Sequence, residues 1–150
     1  MGRVLVPAST GTYGRDFAYV TDDEGRSFQA SGIQKPGMDE AQATQLPDGR
    51  LLMIMRHTQE GSLGKAATTS DDGGGTWSPI RYLQELKGPV CQASITTFGG
   101  ATFFSGPDSS ERRERLTVRR SDDSARTWPR NPVGLRYLLH HTNHPSLHLL

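Results

Sequence analysis

Short apolar runs separated by polar turns rich in glycine and proline recur along the whole chain. Val4-Leu-Val-Pro-Ala8, Leu51-Leu-Met-Ile-Met55, Ala93–Phe98 and Ala101-Thr-Phe-Phe-Ser105 are each five or six residues long. Runs of that length bounded by turn residues are strands rather than helices. Pro47-Asp48-Gly49-Arg50 is a turn signal directly before Leu51, and Gly99-Gly100 turns one predicted strand into the next. Three further strand-like runs, Asp16–Val20, Lys65–Thr69 and Leu116–Arg120, each lead into one recurring turn. The second of them, Lys-Ala-Ala-Thr-Thr, is weak strand material on its own.

That turn has the form Ser/Thr-x-Asp-x-Gly-x-Thr/Ser-aromatic. Its copies are Thr21–Phe28, Ser70–Trp77 and Ser121–Trp128, the last with Ala125 in the glycine position. The central aspartates are Asp23, Asp72 and Asp123, so successive copies lie 49 and 51 residues apart. A period near 50 in a chain of short strands indicates one propeller blade per repeat. The motif has its own physics. The Asp carboxylate accepts backbone N–H groups and closes a tight loop. Gly25 and Gly74 supply positive φ without steric cost. The terminal aromatic, Phe28, Trp77 or Trp128, is then free to bury its ring between neighbouring sheets. The fold class is therefore all-β, a partial propeller of about three blades over residues 1–130. Residues 131–150, with neither strand alternation nor a turn motif, are predicted to form a divergent, poorly ordered tail.

Composition narrows the function classes. Hydrophobic residues make up 33% of the 150, and 17 Gly and 9 Pro suit a turn-rich chain with a thin core. The formal net charge of +1 gives no reason to expect a nucleic-acid partner or an acidic membrane. No run approaches the roughly 20 apolar residues of a membrane-spanning helix, and the first residues do not read as a signal peptide. Cys91 is the single cysteine, so no internal disulfide can form and no CxxC-type zinc spacing is present. It reads as a buried apolar residue. His140, His144 and His148 have helical spacing that invites a metal, but Pro145 interrupts any helix there. Gly73-Gly74-Gly75 lacks the Gly-Lys-Ser/Thr of a phosphate loop.

The three turns are Asp boxes, and together with two segments between them they resemble the sialidase (neuraminidase) family. Met38-Asp39-Glu40-Ala-Gln42, followed by Leu46-Pro47-Asp48-Gly49, a strand and Arg56, is similar to a sialidase active-site stretch. Pro89–Ile95, Phe104–Pro107 and Arg113-Glu-Arg-Leu116-Thr117-Val118-Arg119 resemble the blade that follows it. The resemblance covers about residues 3–130. It implies an exo-α-sialidase of six blades that releases terminal sialic acid, with retention, from glycoproteins, glycolipids or oligosaccharides. It implies no cofactor and no metal, a sialylated glycoconjugate as partner, and a lysosomal or secreted setting.

Position by position, the resemblance makes Glu40 the base that activates a tyrosine nucleophile. It makes Arg56 the second and Arg113 the third arginine of a carboxylate-binding triad, with Arg112 and Arg115 as competitors for the third place. The chemistry needs these types. An anomeric carboxylate calls for bidentate guanidinium donors. A tyrosine with an ordinary pKa near 10 needs a carboxylate base, and sialidases use such a nucleophile. The Asp-box aspartates are structural. The family's first arginine and its acid/base aspartate have no counterpart in this sequence. The nucleophile's nearest candidate is Tyr137, in Gly134-Leu-Arg-Tyr137, a context unlike the family's Gly-Tyr-Ser. On this basis the chain taken alone is expected to turn over little or no sialoside. Two other roles remain open: a non-catalytic Asp-box propeller that binds glycan or protein, and an inactive remnant.

Overall fold

The computed structural model describes residues 2–11, 13–32, 36–58 and 64–130. Tyr137, the tail histidines and the whole predicted tail lie outside the described residues. Among the described residues ten strands form three antiparallel sheets. The first holds β1 (Val4–Ser9), β2 (Asp16–Thr21) and β3 (Gln29–Ser31). The second is a meander of β4 (Met38–Gln45), β5 (Leu51–His57), β6 (Gly64–Ser70) and β7 (Arg81–Lys87). The third holds β8 (Ser94–Phe98), β9 (Ala101–Pro107) and β10 (Leu116–Ser121). These are blades of a partial propeller.

The unbroken apolar run of β5 has a direct cause. Leu52 and Ile54 point to one face and join Leu46, Ala67, Leu83, Ile95, Phe104 and Trp128 in a core shared with the third sheet. Met53 and Met55 point to the other and join Ala18, Met38 and Ala66 in a core shared with the first. A strand covered on both faces loses the apolar–polar alternation of a one-sided sheet. Lys65–Thr69, weak by propensity, is buried almost throughout as part of β6. Its small side chains fit between two flanking cores, so tertiary packing overrides local preference.

Three strands had no clear sequence signal, the short β3 and the longer β4 and β7. In β7 the apolar Leu83 and Leu86 are three apart, a helical spacing. The register jumps from Gly64↔Lys87 to Lys65↔Leu83, so an irregularity in β7 brings both leucines to the core face. In β4 the mostly polar Asp-Glu-Ala-Gln-Ala-Thr-Gln hides a strand whose inward positions are the small Ala41 and Ala43.

Each recurring turn is a clasp. Asp72 accepts the Thr76 N–H at 2.9 Å and the Thr76 hydroxyl at 2.7 Å, while the Ser70 hydroxyl donates to it at 2.8 Å. Asp23 and Asp123 repeat the pattern with Ser27 and Thr127. These bonds hold the Asp23 carboxyl down at about 2 and the Asp72 carboxyl well below the usual range. At Asp123 burial opposes the shift, yet bonds from Thr127 and Ser121 bring it to about 2. Gly74 is required twice over. Its φ is +92°, and a Cβ there would stand 2.6 Å from Leu5 Cδ1. Ala125 occupies the same position in the third turn at φ 61°, fully buried, an αL conformation unusual for a residue with a side chain.

The turn's last residue has three fates. Trp128 is buried against Phe104, with ring centroids 6.2 Å apart at 68°. Trp77 packs on the core between the first two sheets. Phe28, predicted to be buried, is instead 52% exposed, touching Tyr19 edge-on on the outward face of the first sheet. No described residue covers that face.

Trp128→Ala is expected to lower the unfolding free energy by about 3–5 kcal/mol, measured by urea titration. Trp128→Phe should cost less than about 1.5 kcal/mol, since its indole N–H has no partner to lose among the described residues. Carboxyls depressed in the folded state stabilise above their unfolded pKa near 4, and that stability is lost as pH falls. The thermal midpoint should therefore drop between about pH 4 and 2, and drop less in Asp72→Ala.

Candidate active site

The blades have two distinct ends. The clasps follow the C-terminal ends of β2, β6 and β10, where β5 begins, since Leu51 pairs with Ser70. At the opposite end lie the start of β4, the end of β5, and the β1–β2 and β9–β10 loops. Both segments that resemble an active site lead to this second end.

Glu40 sits on a bulge. Asp39 pairs with Arg56 and Gln42 with Ile54, so three steps on β4 face two on β5. The extra residue turns Glu40 to φ +51°, a left-handed conformation that costs a residue with a Cβ. Bulges re-aim side chains beside functional sites. Here the Glu40 carboxylate accepts Arg56 Nη1 at 2.7 Å while staying 41% exposed. Beyond the bulge, Gln42 Oε1 accepts the Ser94 hydroxyl at 3.0 Å and the Ile95 N–H at 3.2 Å. Gln42 therefore belongs to the joint between second and third sheets rather than to the exposed cluster.

Arg56 is the centre of a small network. Its Nη2 donates to the Tyr13 hydroxyl, and its Cζ lies 4.9 Å from the Tyr13 ring centroid. Its Nε stands 3.5 Å from Asp39 Oδ1, an ion pair without hydrogen-bond geometry. Burial works against the charge, but Glu40, Asp39 and Tyr13 together raise the Arg56 pKa. A guanidinium has five N–H donors. With one Nη hydrogen on Glu40 and one on Tyr13, each Nη keeps a second hydrogen, enough to grip a carboxylate.

Three members of this neighbourhood carried no signal in the sequence. Tyr13 arrives on the β1–β2 loop at φ 51°, its N–H donated to Asp39 Oδ2 at 3.1 Å. Asp39 thus ties that loop to β4. Lys65 is buried on β6, its ammonium on the Cys91 carbonyl with the Cys91 thiol 3.7 Å away, and burial lowers its pKa. Asp16, the first residue of β2, is wholly buried. Cys91 is buried too. These placements come from loop–strand packing between sheets, which no local pattern encodes.

Arg113 stands on the β9–β10 loop, at the same end of the blades, but is exposed and bonded to neither Glu40 nor Arg56 among the described residues. Arg112 and Arg115 are exposed beside it. The buried arginine of that stretch is Arg119, which pairs with Asp108 at 2.8 Å and braces the base of the loop. Among the described residues no group of three His, Cys, Asp or Glu side chains could hold a metal ion. At the clasp end, two surface arginines stitch blades together. Arg3 donates to the Gly73 carbonyl at 3.2 Å and Arg81 to the Ala125 carbonyl at 3.1 Å, each reaching the turn of the next sheet.

The family described as BNR repeat-like domain matches residues 1–136. A sialidase of Micromonospora viridifaciens is 33% identical over 123 residues, covering 75% of this chain and 19% of that protein. Among solved structures, the Hadza microbial sialidase Hz136 superposes with a TM-score of 0.68 at 26% identity, over 77% of this chain and 24% of its own. The NanB sialidase of Streptococcus pneumoniae gives 0.70 at 25% identity, over 85% of this chain and 21% of its own. The chain thus spans about a fifth to a quarter of the length of these relatives. By sequence family and by fold, the chain belongs to the BNR repeat-like family, as a run of blades from a sialidase-like propeller.

Proposed function

We propose that these blades carry the base and part of the carboxylate-binding side of an exo-α-sialidase site. The observation that carries the reading is the Glu40–Arg56 pair, held at 2.7 Å by a bulge that points both groups out of one end of the blades. In this role Arg56 takes one oxygen pair of the sialoside carboxylate through its two remaining Nη hydrogens. Arg113, exposed on the neighbouring blade's loop, supplies a second cation as that loop closes on the ligand. Glu40, keeping its bond to Arg56, accepts the proton of a tyrosine hydroxyl as the oxygen attacks the anomeric carbon and the glycosidic bond breaks, the aglycone leaving as an alcohol that takes its proton from a general acid or water. A neutral phenol made nucleophilic by a carboxylate suits this substrate better than a bare carboxylate, which the substrate's own charge would repel. Tyr137 remains the candidate nucleophile from the sequence. The substrate class is a terminal sialic acid of a glycoprotein, glycolipid or oligosaccharide.

Binding of free sialic acid to the chain, followed by calorimetry or NMR, is the direct test. Arg56→Met should weaken it by at least about tenfold, the scale of one charge-assisted bidentate contact, and the methyl ester of sialic acid should bind no better than that variant. Equal binding of acid and ester would sink the reading. Hydrolysis of a sialoside by the chain alone should be slow, and Glu40→Gln should lower whatever rate is seen with little change in sialic acid binding. Binding without any turnover would favour a glycan-binding role for the same site.

A further inference from the structure

Asp16 is a buried carboxyl with no visible reason to be charged. It opens β2 opposite Ser9, directly after the loop that delivers Tyr13. It is 0% exposed, and neither carboxyl oxygen has a hydrogen-bond partner among the described residues. An ionised carboxylate in that condition is among the costliest groups a protein interior can hold. The charges around it offer no relief. Asp39 and Glu40, on β4, both disfavour its ionisation. Arg56, on β5, is already shared between those two carboxylates. Lys65, on β6, acts on Arg56 and Glu40 but gives its ammonium to Cys91. On the loop, Tyr13 gives its N–H to Asp39, and the neighbouring Arg15 makes backbone bonds to Thr10.

We propose that Asp16 is a positioning residue for anion binding at Arg56: a buried acid that is neutral while the site accepts a ligand carboxylate and that, once ionised, adds a third negative charge to those of Asp39 and Glu40 and repels the ligand. This rests on the sialoside reading of the site. Burial first, then Asp39 and Glu40, push the Asp16 pKa up to about 7. The switch therefore lies in the neutral range, well above the ordinary carboxylate value near 4. Linkage makes the coupling reciprocal. A carboxylate bound at Arg56 must raise the Asp16 pKa further by the same factor that the proton strengthens binding. The sign for stability follows from a raised pKa. The protonated form stabilises fully below about pH 4, and that contribution is lost as pH rises through about 7.

The test is an NMR titration of the side-chain carboxyl carbon of Asp16 in the whole chain, with the Tyr13 amide and the Arg56 Nε–H followed together. Asp16 should titrate near neutrality, and the Tyr13 and Arg56 resonances should move over the same pH interval. Both movements should vanish in Asp16→Asn, whose denaturant midpoint should no longer fall between about pH 4 and 7. Sialic acid should bind the wild type about tenfold more weakly above the transition than below it, and bind Asp16→Asn with little pH dependence. Titration of Asp16 near pH 4, or an unchanged pH profile in Asp16→Asn, overturns the proposal. If sialic acid binds at no pH, the sialoside reading fails, while the wild-type titration of Asp16, Tyr13 and Arg56 still decides this one. If Asp16→Asn does not fold, the same wild-type titration is decisive.

Discussion

Burial of the second sheet on both faces is the constraint from which the rest of the structure follows. One face of β5 closes a core with the third sheet and the other a core with the first. Three sheets must then stack face to face around it, with all loops forced to the two open ends of the strands. Every residue of chemical interest is consequently on a loop or a strand end. Their relative positions are set by how the sheets pack rather than by any one segment. The joints that hold the stack are modest individually: Gln42 to Ser94 and Ile95, Thr44 to Thr97 at 3.2 Å, and arginines on neighbouring turns. Hydrogen bonds of this kind are each worth about 1 kcal/mol, so the apolar cores supply most of the cohesion and the polar joints choose the register.

Glu40 shows how that scaffold re-aims a single side chain. A regular strand would place Asp39 and Gln42 in unbroken alternation and turn Glu40 toward whichever face its parity dictates. The extra residue breaks the parity and sets Glu40 beside Arg56. The strain of a non-glycine residue at positive φ is carried by the flanking ladder, which pairs Asp39 with Arg56 on one side and Gln42 with Ile54 on the other. An ion pair that is partly open to water gains little stability. At the rim of the blades the pair therefore adds little as a brace between β4 and β5.

Much of this was legible in the amino-acid sequence, and the limits have physical causes. The clasps were legible because all their partners lie within a few residues of the aspartate, so spacing alone carries the geometry. Glu40 and Arg56 were legible through a resemblance, sixteen residues apart in the chain and touching across one strand pair. Tyr13, Asp16 and Lys65 were not, because what distinguishes them is burial and contact between sheets. Strand β7 was hidden because its irregular register gives a strand the spacing of a helix. Phe28 was misjudged for a complementary reason. The motif fixes where the ring emerges, but only a neighbouring sheet can bury it, and among the described residues none lies on that side.

The clasps and the charged cluster stand at opposite ends of shared strands. Along β5 the two ends are five residues apart, about 16 Å, beyond the distance over which salt at physiological strength leaves surface charges in touch. The aspartates that lock the turns therefore do not shape the field around Arg56. The charged cluster at one end and the fastenings at the other are electrically insulated, so the fastenings are free to drift, as Ala125 in place of glycine illustrates, without retuning the Glu40–Arg56 pair.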